Sequence, residues 1–235
     1  MNKMEIASKI LEGNEIVFLT GAGVSTLSGI PDYRSMGGLY DNVDQPEYLL
    51  SHDCLINEPQ KFYDFSKQLF HPEAKPNIIH QVMAKLEKTK NVTVITQNID
   101  ELHAKAGSKH LIEFHGNLYD LYCMKCQEKI EVSAYLKSYI HESDGGLIRP
   151  NVVLYGEMLD ETAIRNSIYA LQRANTVVLV GTTFKVYPFA SLLQYVNNLA
   201  KVILINKDDF YNSRVDYKYI GDAQDVFAEL DKQIG

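Results

Sequence analysis

Tryptophan is absent from this 235-residue chain, and cysteine is scarce at three residues. An odd number of cysteines, two of them spaced C-x-x-C at Cys123 and Cys126, does not match the disulfide framework of a small secreted domain. No segment approaches the roughly 20 apolar residues that a membrane-spanning helix needs. Residues 1–5 also lack the basic-then-apolar pattern of a secretion signal. We therefore expect a cytosolic protein that does not bind membranes.

Basic residues are also in the minority, because 30 Asp and Glu outnumber 23 Lys and Arg and give a formal net charge of −7. Nonspecific binding to nucleic acid depends largely on Lys and Arg that neutralise phosphates, so this balance argues against such a partner. The length is sufficient for one large and one small lobe around a sizeable core. The sequence leaves the oligomeric state open.

Short β-branched runs alternate with helical patterns along the chain. Continuous apolar runs are typical of strands that are buried on both faces of a parallel sheet. The alternation predicts an α/β fold, with a Rossmann-like parallel sheet and helices on both of its faces. The expected strands lie at residues 16–19, 92–95, 176–180 and 202–205, and the expected helices at residues 6–11, 77–87, 161–174 and 189–199.

Gly21, Ala22 and Gly23 directly follow the first apolar run. Glycine lets backbone N–H groups approach a phosphate closely, and a helix that opens at this point would favour the phosphate charge. The spacing is only half of the G-x-G-x-x-G fingerprint, because Thr26 stands where the third glycine would be. Taken alone, the glycines also fit a tight turn between a strand and a helix.

Further motifs follow in a fixed order. Residues 28–34 read SGIPDYR, 96–100 TQNID, 114–116 FHG, 149–157 RPNVVLYGE and 181–183 GTT. In this order and at these separations, the sequence resembles the sirtuins, the NAD-dependent protein lysine deacylases, from residue 16 to about residue 230. The resemblance implies one catalytic domain. Its large lobe would comprise residues 1–35, 75–116 and 155–235, and its small lobe the insertions at residues 36–74 and 117–154.

The same resemblance implies an NAD site that is built from several of these motifs. Residues of the glycine loop would line the pyrophosphate path, with Arg34 as a cation. Asp32, Ile99 and Asp100 would hold the nicotinamide carboxamide, and Tyr33 replaces the phenylalanine that is usual in the family. The predicted NAD-binding residues are Gly21, Ala22, Gly23, Ser25, Thr26, Ile30, Asp32, Tyr33, Arg34, Gln97, Asn98, Ile99, Asp100, His115, Gly181, Thr182, Thr183, Asn206, Asp222 and Ala223.

His115, within the FHG motif, matches the sirtuin general base, and Asn98 would hold the adjacent ribose. Imidazole suits this role because its usual pKa lies near neutral pH. By resemblance, the acyl-lysine carbonyl oxygen attacks C1′ of the nicotinamide ribose, nicotinamide leaves, and His115 then helps the 2′-hydroxyl attack the resulting O-alkylamidate. NAD is therefore expected as a consumed cosubstrate, and a dehydrogenase is disfavoured. A protein ADP-ribosyltransferase and a noncatalytic NAD-sensing module remain alternatives.

Val153, Tyr155, Gly156 and Glu157 match the substrate loop of the family, where an acyl-lysine peptide would add as an extended strand. The alternative is a buried edge strand. Acyl-lysine peptides and proteins are therefore the expected partners. Residues 35–40 offer no arginine of the kind that sirtuins preferring succinyl or malonyl groups carry. We expect neutral acyl groups, acetyl first, and longer fatty chains stay open.

The metal module departs from the family pattern of two C-x-x-C pairs, because this chain has only one. His141 and Asp144 occupy the places of the second pair at the same spacing. Imidazole and carboxylate groups both bind zinc, so Cys123, Cys126, His141 and Asp144 predict a structural, four-coordinate zinc site. The alternative is a module that has lost its metal and is held by apolar packing. Cys54 lies far upstream and is expected to be a buried thiol.

Overall fold

Strands form where the sequence places its β-branched runs. The computed structural model describes residues 1–32, 45–184 and 186–235. Its strands are β1 (Glu15–Thr20), β2 (Asn91–Thr96), β3 (Leu111–Glu113), β4 (Gly116–Cys123), β5 (Lys129–Ile130), β6 (Ile148–Val152), β7 (Thr176–Val180), β8 (Lys201–Asn206) and β9 (Tyr217–Ile220).

The main sheet contains six parallel strands in the order β3-β2-β1-β7-β8-β9. Parallel pairing leaves all the carboxyl ends at one edge of the sheet. The strand order changes direction between β1 and β7, which is the switch point at which open α/β sheets bind ligands. A second, antiparallel sheet has the order β5-β4-β6. The Rossmann-like fold class is confirmed.

Helices begin at polar capping residues. The side chains of Asn2, Asn77, Asp160 and Asp222 each accept a hydrogen bond from a backbone N–H of the first helical turn, which stabilises the helix start. The helices are α1 (Lys3–Leu11), α2 (Pro46–Leu49), α3 (His52–Asn57), α4 (Pro59–Ser66), α5 (Ile78–Leu86), α6 (Leu102–Lys105), α7 (Val132–Tyr135), α8 (Glu161–Arg173) and α9 (Ala223–Ile234).

Two apolar cores cover the faces of the main sheet. In β1, Ile16 and Phe18 point into one core, where they pack with residues of α1, α5 and α9. Val17 and Leu19 point into the other core, which includes Leu171 of α8. Successive side chains of a strand point to opposite faces, so a continuously apolar run is needed when both faces are buried.

A third core lies beside the small antiparallel sheet. It joins Phe62 and Leu69 from the segment around α4 to Leu118 and Leu121 of β4. Cys54 is fully buried in this core, as the sequence predicts. The exact boundaries of the two lobes stay a prediction.

Several local expectations are wrong. The glycine loop opens into two 3₁₀ turns, Ala22–Val24 and Thr26–Ser28, and not into an α-helix, so no helix terminus faces a phosphate there. The pattern at residues 189–199 forms a 3₁₀ helix, Phe189–Tyr195. Tertiary packing sets the length of such short elements more strongly than propensity does.

Within the described ranges, none of the helices has both the length and the apolar character needed to cross a bilayer.

Candidate active site

A cavity of about 600 Å³ lies at the carboxyl edge of the main sheet. Loops that follow neighbouring strands line it: Gly21 and Ala22 follow β1, Gln97 follows β2, His115 follows β3, and Gly181 follows β7. The loops meet because parallel strands bring their carboxyl ends to the same edge. Motifs that are far apart in the sequence therefore form one site.

Gly23 and Gly181 bring the loops after β1 and β7 into backbone contact. The Gly23 N–H donates a hydrogen bond to the Gly181 carbonyl over 2.9 Å. A Cβ on Gly23 would lie 2.8 Å from the Gly181 Cα, and a Cβ on Gly181, whose φ is +59°, would lie 2.6 Å from the Val24 backbone nitrogen. A side chain fits at neither position, so the two loops form one rim of the cavity.

Side chains on this rim hold one another in place. The Gln97 side chain donates a hydrogen bond to the Thr182 hydroxyl over 2.9 Å, and the same hydroxyl accepts the Phe184 N–H over 3.1 Å. Farther along the rim, the Asn206 side chain donates to the Asp208 carbonyl over 2.8 Å. These contacts fix the orientation of Gln97, Thr182 and Asn206 beside the cavity.

His115 lies on the cavity wall with a defined ring orientation. Its Nδ1 lies 3.2 Å from the Gln97 carbonyl oxygen. A carbonyl can only accept, so Nδ1 carries the proton in this contact, and in the neutral ring Nε2 is the nitrogen that accepts a proton. The ring also packs near Phe114 and Phe189, at centroid distances of 5.6 and 6.4 Å. This arrangement is suited to a general base.

Asn98 is oriented by a buried polar network. Its side-chain N–H donates to the Ser25 hydroxyl over 3.0 Å, and that hydroxyl donates to Asp100 Oδ2 over 2.6 Å. The Asn77 N–H donates to His80 Nδ1 over 3.3 Å, so the proton of the neutral His80 ring is on Nε2, 3.4 Å from the Ser25 oxygen. Because the Asn98 amide nitrogen is committed to Ser25, the amide oxygen is the group that can accept from a ribose hydroxyl.

Burial disfavours the charged forms of the titratable groups in this network. Burial lowers the pKa of His80 to about 4 and lowers the pKa of His103 well below its usual value. The two imidazole rings are in edge-to-face contact at 4.7 Å, and His103 Nε2 lies 3.1 Å from the Thr20 hydroxyl. Burial also raises the pKa of Asp100, although the hydrogen bond from Ser25 opposes that shift. Both histidines are therefore neutral at physiological pH.

The loop that is expected to bind the substrate lies on the cavity wall, and hydrogen bonds to neighbouring residues hold it in place. The Glu157 carboxylate accepts from the Arg149 guanidinium, with Nη2 at 3.0 Å, and from the Leu154 N–H at 3.0 Å. Burial raises the pKa of Glu157, but the Arg149 hydrogen bond opposes this and the net shift is downward. The Tyr155 N–H donates to the Leu50 carbonyl over 3.0 Å, which joins the loop to the segment before α3. Glu157 therefore shapes the loop as an ionised group.

Several residues of the cavity wall were not predicted from the sequence. Val186, Tyr187 and Pro188 line the cavity after the loop that follows β7. The available signal was an apolar stretch immediately behind the GTT motif. The sequence analysis also missed His80, whose signal was a lone histidine within the apolar pattern of α5. Residues from the third core, such as Phe62, Leu69 and Leu118, also line the same cavity, and no motif marks them.

The predicted site residues divide into three groups. Tyr33, Arg34 and the stretch 35–40 used for acyl preference lie outside the described residues. Ser25, Ile30 and Asp100 do not line the cavity but lie behind or beside it, and their contact with NAD stays a prediction. The cavity wall includes Gly21, Ala22, Gly23, Thr26, Asp32, Gln97, Asn98, Ile99, His115, Val153, Tyr155, Gly156, Glu157, Gly181, Thr182, Thr183, Asn206, Asp222 and Ala223.

Comparison with known proteins agrees with this geometry. The model of the Sir2 family matches residues 21–188. The chain belongs to the Sir2 family. It is 51% identical to an NAD-dependent protein deacetylase of Listeria monocytogenes serotype 4b over 231 residues, which cover 98% of this chain and 100% of the relative. It is 49% identical to an NAD-dependent protein deacetylase of Enterococcus faecalis, over 92% of this chain and 91% of the relative.

Solved structures of Sir2 proteins superpose over nearly the whole chain. A Sir2 variant with a deacetylated p53 peptide and 3′-O-acetyl ADP-ribose has a TM-score of 0.90 at 34% identity, covering 99% of this chain and 98% of its own. The structure of Sir2Tm bound to a propionylated peptide has a TM-score of 0.86 at 33% identity, covering 99% of this chain and 98% of its own. The resemblance drawn from the sequence motifs is confirmed.

This Sir2-family chain carries a metal-type cluster away from the cavity. One ligand atom each from Cys123, Cys126, His141 and Asp144 can be chosen so that all lie within 4.8 Å of one another. Cys126 Sγ lies 3.5 Å from His141 Nδ1, and that nitrogen lies 3.1 Å from Asp144 Oδ1. Zinc bonds of about 2.0–2.3 Å in a tetrahedron separate ligand atoms by roughly 3.3–3.8 Å. The donor set and its spacing fit zinc.

The backbone around the cluster supports the same interpretation. The Gly146 N–H donates to Asp144 Oδ1 over 2.9 Å, which lowers the pKa of that carboxyl. A Cβ on Gly146 would lie 2.5 Å from Cys123 Sγ, so this glycine leaves room for the sulfur. Zinc bound here would tie the turn after β4 to the turn before β6 and would act structurally.

Proposed function

We propose that the protein is an NAD-dependent protein lysine deacetylase. NAD, acyl-lysine and water would yield nicotinamide, free lysine and O-acyl-ADP-ribose, so the acyl group moves to the ribose and water supplies the balancing atoms. The observation that carries this proposal is the position of His115, on the wall of the cavity at the switch point, with Nδ1 directed to the Gln97 carbonyl. Relatives named as NAD-dependent protein deacetylases at about half identity support it.

In this reaction the ribose 2′-hydroxyl must lose a proton as it becomes a nucleophile. His115 Nε2 is the nitrogen that can take that proton, because Nδ1 is committed to a carbonyl. The Asn98 amide oxygen can accept from a ribose hydroxyl and so place the sugar, because its nitrogen is committed to Ser25. Zinc at the Cys123 cluster would supply only structural support.

The substrate partners and the cellular compartment of the protein are proposals as well. We infer that the partners are acyl-lysine peptides and proteins, which would lie along the loop containing Val153, Tyr155, Gly156 and Glu157. The acidic net charge of −7 supports a protein substrate over a nucleic acid. None of the three cysteines, all of which the structure describes, forms a disulfide, which supports a reducing, cytosolic environment.

The test is nicotinamide release from NAD in the presence of an acetyl-lysine peptide, with free lysine measured in the same sample. His115→Ala should lower turnover by at least about 100-fold, the usual contribution of a general base. His110→Ala is a matched control, because the His110 side chain is 70% exposed at the surface. Equal turnover in both variants would show that His115 is not the base. Transfer of ADP-ribose to protein without lysine release would instead establish an ADP-ribosyltransferase.

A further inference from the structure

His115 lies in a short connector between the two sheets. Strand β3, at the edge of the main sheet, ends at Glu113, and strand β4 of the small sheet begins at Gly116. The two residues between them, Phe114 and His115, are named the His115 connector below. The Phe114 N–H donates to the Thr96 carbonyl of β2 over 2.9 Å. The position of the His115 ring therefore depends on how firmly both ends of the connector are held.

The backbone ladder of the small sheet holds the start of β4 only in part. β4 pairs with β6 at Gly116 and Asn117, but the register of this pairing shifts between Asn117 and Leu121. A register shift disrupts the ladder and leaves backbone groups to find other partners. The Leu118 N–H, within the shifted stretch, donates to the Ile99 carbonyl over 3.0 Å and so joins β4 to the loop after β2.

A side-chain hydrogen bond spans the His115 connector. Asn117 Nδ2 donates to Glu113 Oε1 over 2.9 Å, which joins the last residue of β3 to the second residue of β4. Asn117 Oδ1 accepts the Tyr119 N–H over 2.8 Å, so both ends of the amide are committed and its orientation is fixed. Together with the contact from His115 Nδ1 to the Gln97 carbonyl, this bond fixes the connector on both sides of the ring.

The Glu113 carboxyl can accept this hydrogen bond in either protonation state. The side chain is half-buried, and burial together with repulsion from Glu101, Asp100 and Asp120 raises its pKa to about 7. A carboxyl oxygen accepts a hydrogen bond whether the group is ionised or protonated. The bond from Asn117 therefore persists across neutral pH, and a glutamine at this position would supply an equivalent acceptor.

We propose that Glu113 is a positioning residue for His115 and acts through its hydrogen bond with Asn117 across the connector. This inference rests on the proposed deacetylase function, in which His115 is the base. Glu113 does not belong to the wall of the reaction cavity that the described residues form, so it holds the histidine without touching the substrate. Loss of the bond should therefore lower kcat and leave the KM values unchanged.

The experiment separates two steps of the reaction. Labelled nicotinamide enters NAD when its ring nitrogen attacks C1′ of the O-alkylamidate and the acyl oxygen leaves. That exchange needs no proton from the 2′-hydroxyl, whereas lysine release needs the 2′-hydroxyl to attack and therefore needs His115. Both rates are measured with NAD and one acetyl-lysine peptide.

Glu113→Ala should lower kcat for lysine release by about tenfold, less than the roughly 100-fold that a displacement of about 1 Å can cost. The rate of label exchange and the KM for NAD and for the peptide should stay as in wild type. Glu113→Gln should restore most of the lost rate, because it keeps the acceptor. Equal losses in exchange and in lysine release, or no rescue by glutamine, would overturn the proposal. A wild-type protein that releases no lysine would contradict the proposed function itself.

A second set of variants tests the bond from its other end. Asn117→Ala should show the same selective loss as Glu113→Ala, and the double variant should lose no more than either one, because both remove one interaction. Asn151→Ala is the matched control, since its amide also donates to a carboxylate, that of Asp120, over 2.9 Å but does not span the connector. Additive losses, or an equal loss in Asn151→Ala, would overturn the proposal. Thermal melting verifies that each variant is folded, and Asn117→Ala tests the same bond if Glu113→Ala is not.

Discussion

The buried network around Ser25 and the cluster at Cys123 provide partners for their polar groups in different ways. The Ser25 hydroxyl already lies within hydrogen-bond distance of Asn98, His80 and Asp100, and Ser25 itself is 1% exposed. At the cluster, Cys126 is exposed, and a second thiol, an imidazole and a carboxylate converge within 4.8 Å. Burial preorganises the first region before any ligand binds, whereas a bound cation would complete the second.

Removing the metal tests whether a bound cation completes the Cys123 cluster, and this change should have the largest effect. The purified protein should contain about one zinc per chain. Chelation should accelerate hydrogen exchange in residues 123–147 on the order of 100-fold, because metal binding contributes directly to local folding, while residues 91–96 of β2 keep their protection.

Cys126→Ser should lose zinc, and Cys54→Ser should retain it, because Cys54 lies outside the cluster. Protein that is prepared gently, contains no zinc and still protects residues 123–147 would show that apolar packing alone holds the module.

Acid should have the second-largest effect, because it destabilises the buried network around Ser25, which includes His80. The pKa of His80 is held at about 4 in the fold against about 6.5 in an unfolded chain. The unfolded state therefore binds the proton more readily, and stability is lost as pH falls from about 6.5 toward 4, by roughly 3 kcal/mol. Urea unfolding at a series of pH values measures this slope.

His80→Gln should reduce the slope, because glutamine does not titrate, and the remaining slope should include the contribution of His103. His110→Gln should leave it as in wild type, since the His110 side chain is exposed. A His80→Gln protein with an unchanged pH slope would mean that other groups cause the acid sensitivity.

Removing the central hydroxyl of the network should have an intermediate effect. Ser25→Ala leaves the Asn98 amide, His80 Nε2 and the Asp100 carboxylate without their shared partner, which should cost about 1–3 kcal/mol of stability. Nicotinamide release should slow by roughly tenfold, because the Asn98 amide is no longer held. Ser28→Ala provides the comparison within the same loop, at a half-buried hydroxyl with one partner. Equal losses of stability and of nicotinamide release in both variants would show that the Ser25 network contributes no more than the single Ser28 contact.

A change at one carboxyl group, that of Glu113, should have the smallest effect. Burial raises the pKa of Glu113 to about 7, and the side chain accepts from Asn117 over 2.9 Å. The folded protein binds this proton more readily than the unfolded chain, so the stabilising contribution declines as pH rises from about 4.5 through 7. Because Glu113 is only half-buried and solvent screens its charge, Glu113→Gln should gain only about 1 kcal/mol relative to wild type at pH about 8, by urea unfolding. The exposed Glu73→Gln should show no such gain, and a Glu113→Gln protein that behaves like it would contradict the pKa shift.

The sequence predicted what depends on periodicity and on motif order. Continuous β-branched runs identified β1, β2, β7 and β8, because strands buried on both faces need apolar residues at every position. The pairing of His141 and Asp144 with Cys123 and Cys126 was predicted from the family pattern of two ligand pairs together with the shared spacing.

The sequence did not predict features that depend on contacts between distant segments. The 3₁₀ turns of the glycine loop are set by packing of Gly23 on Gly181, which no local propensity encodes. His80 and the residues of the third core that line the cavity were missed for the same reason. A buried histidine and a set of core leucines have no motif, and only the fold brings them to the wall of a cavity.

The backbone contact between Gly23 and Gly181 also has a mechanical consequence. Two segments that are far apart in the sequence are joined there without any side chain between them, so neither can move outward alone when a dinucleotide enters. Any movement that accommodates the incoming dinucleotide must then occur in the segments on either side of the Gly23–Gly181 contact. The contact itself stays fixed while those segments move.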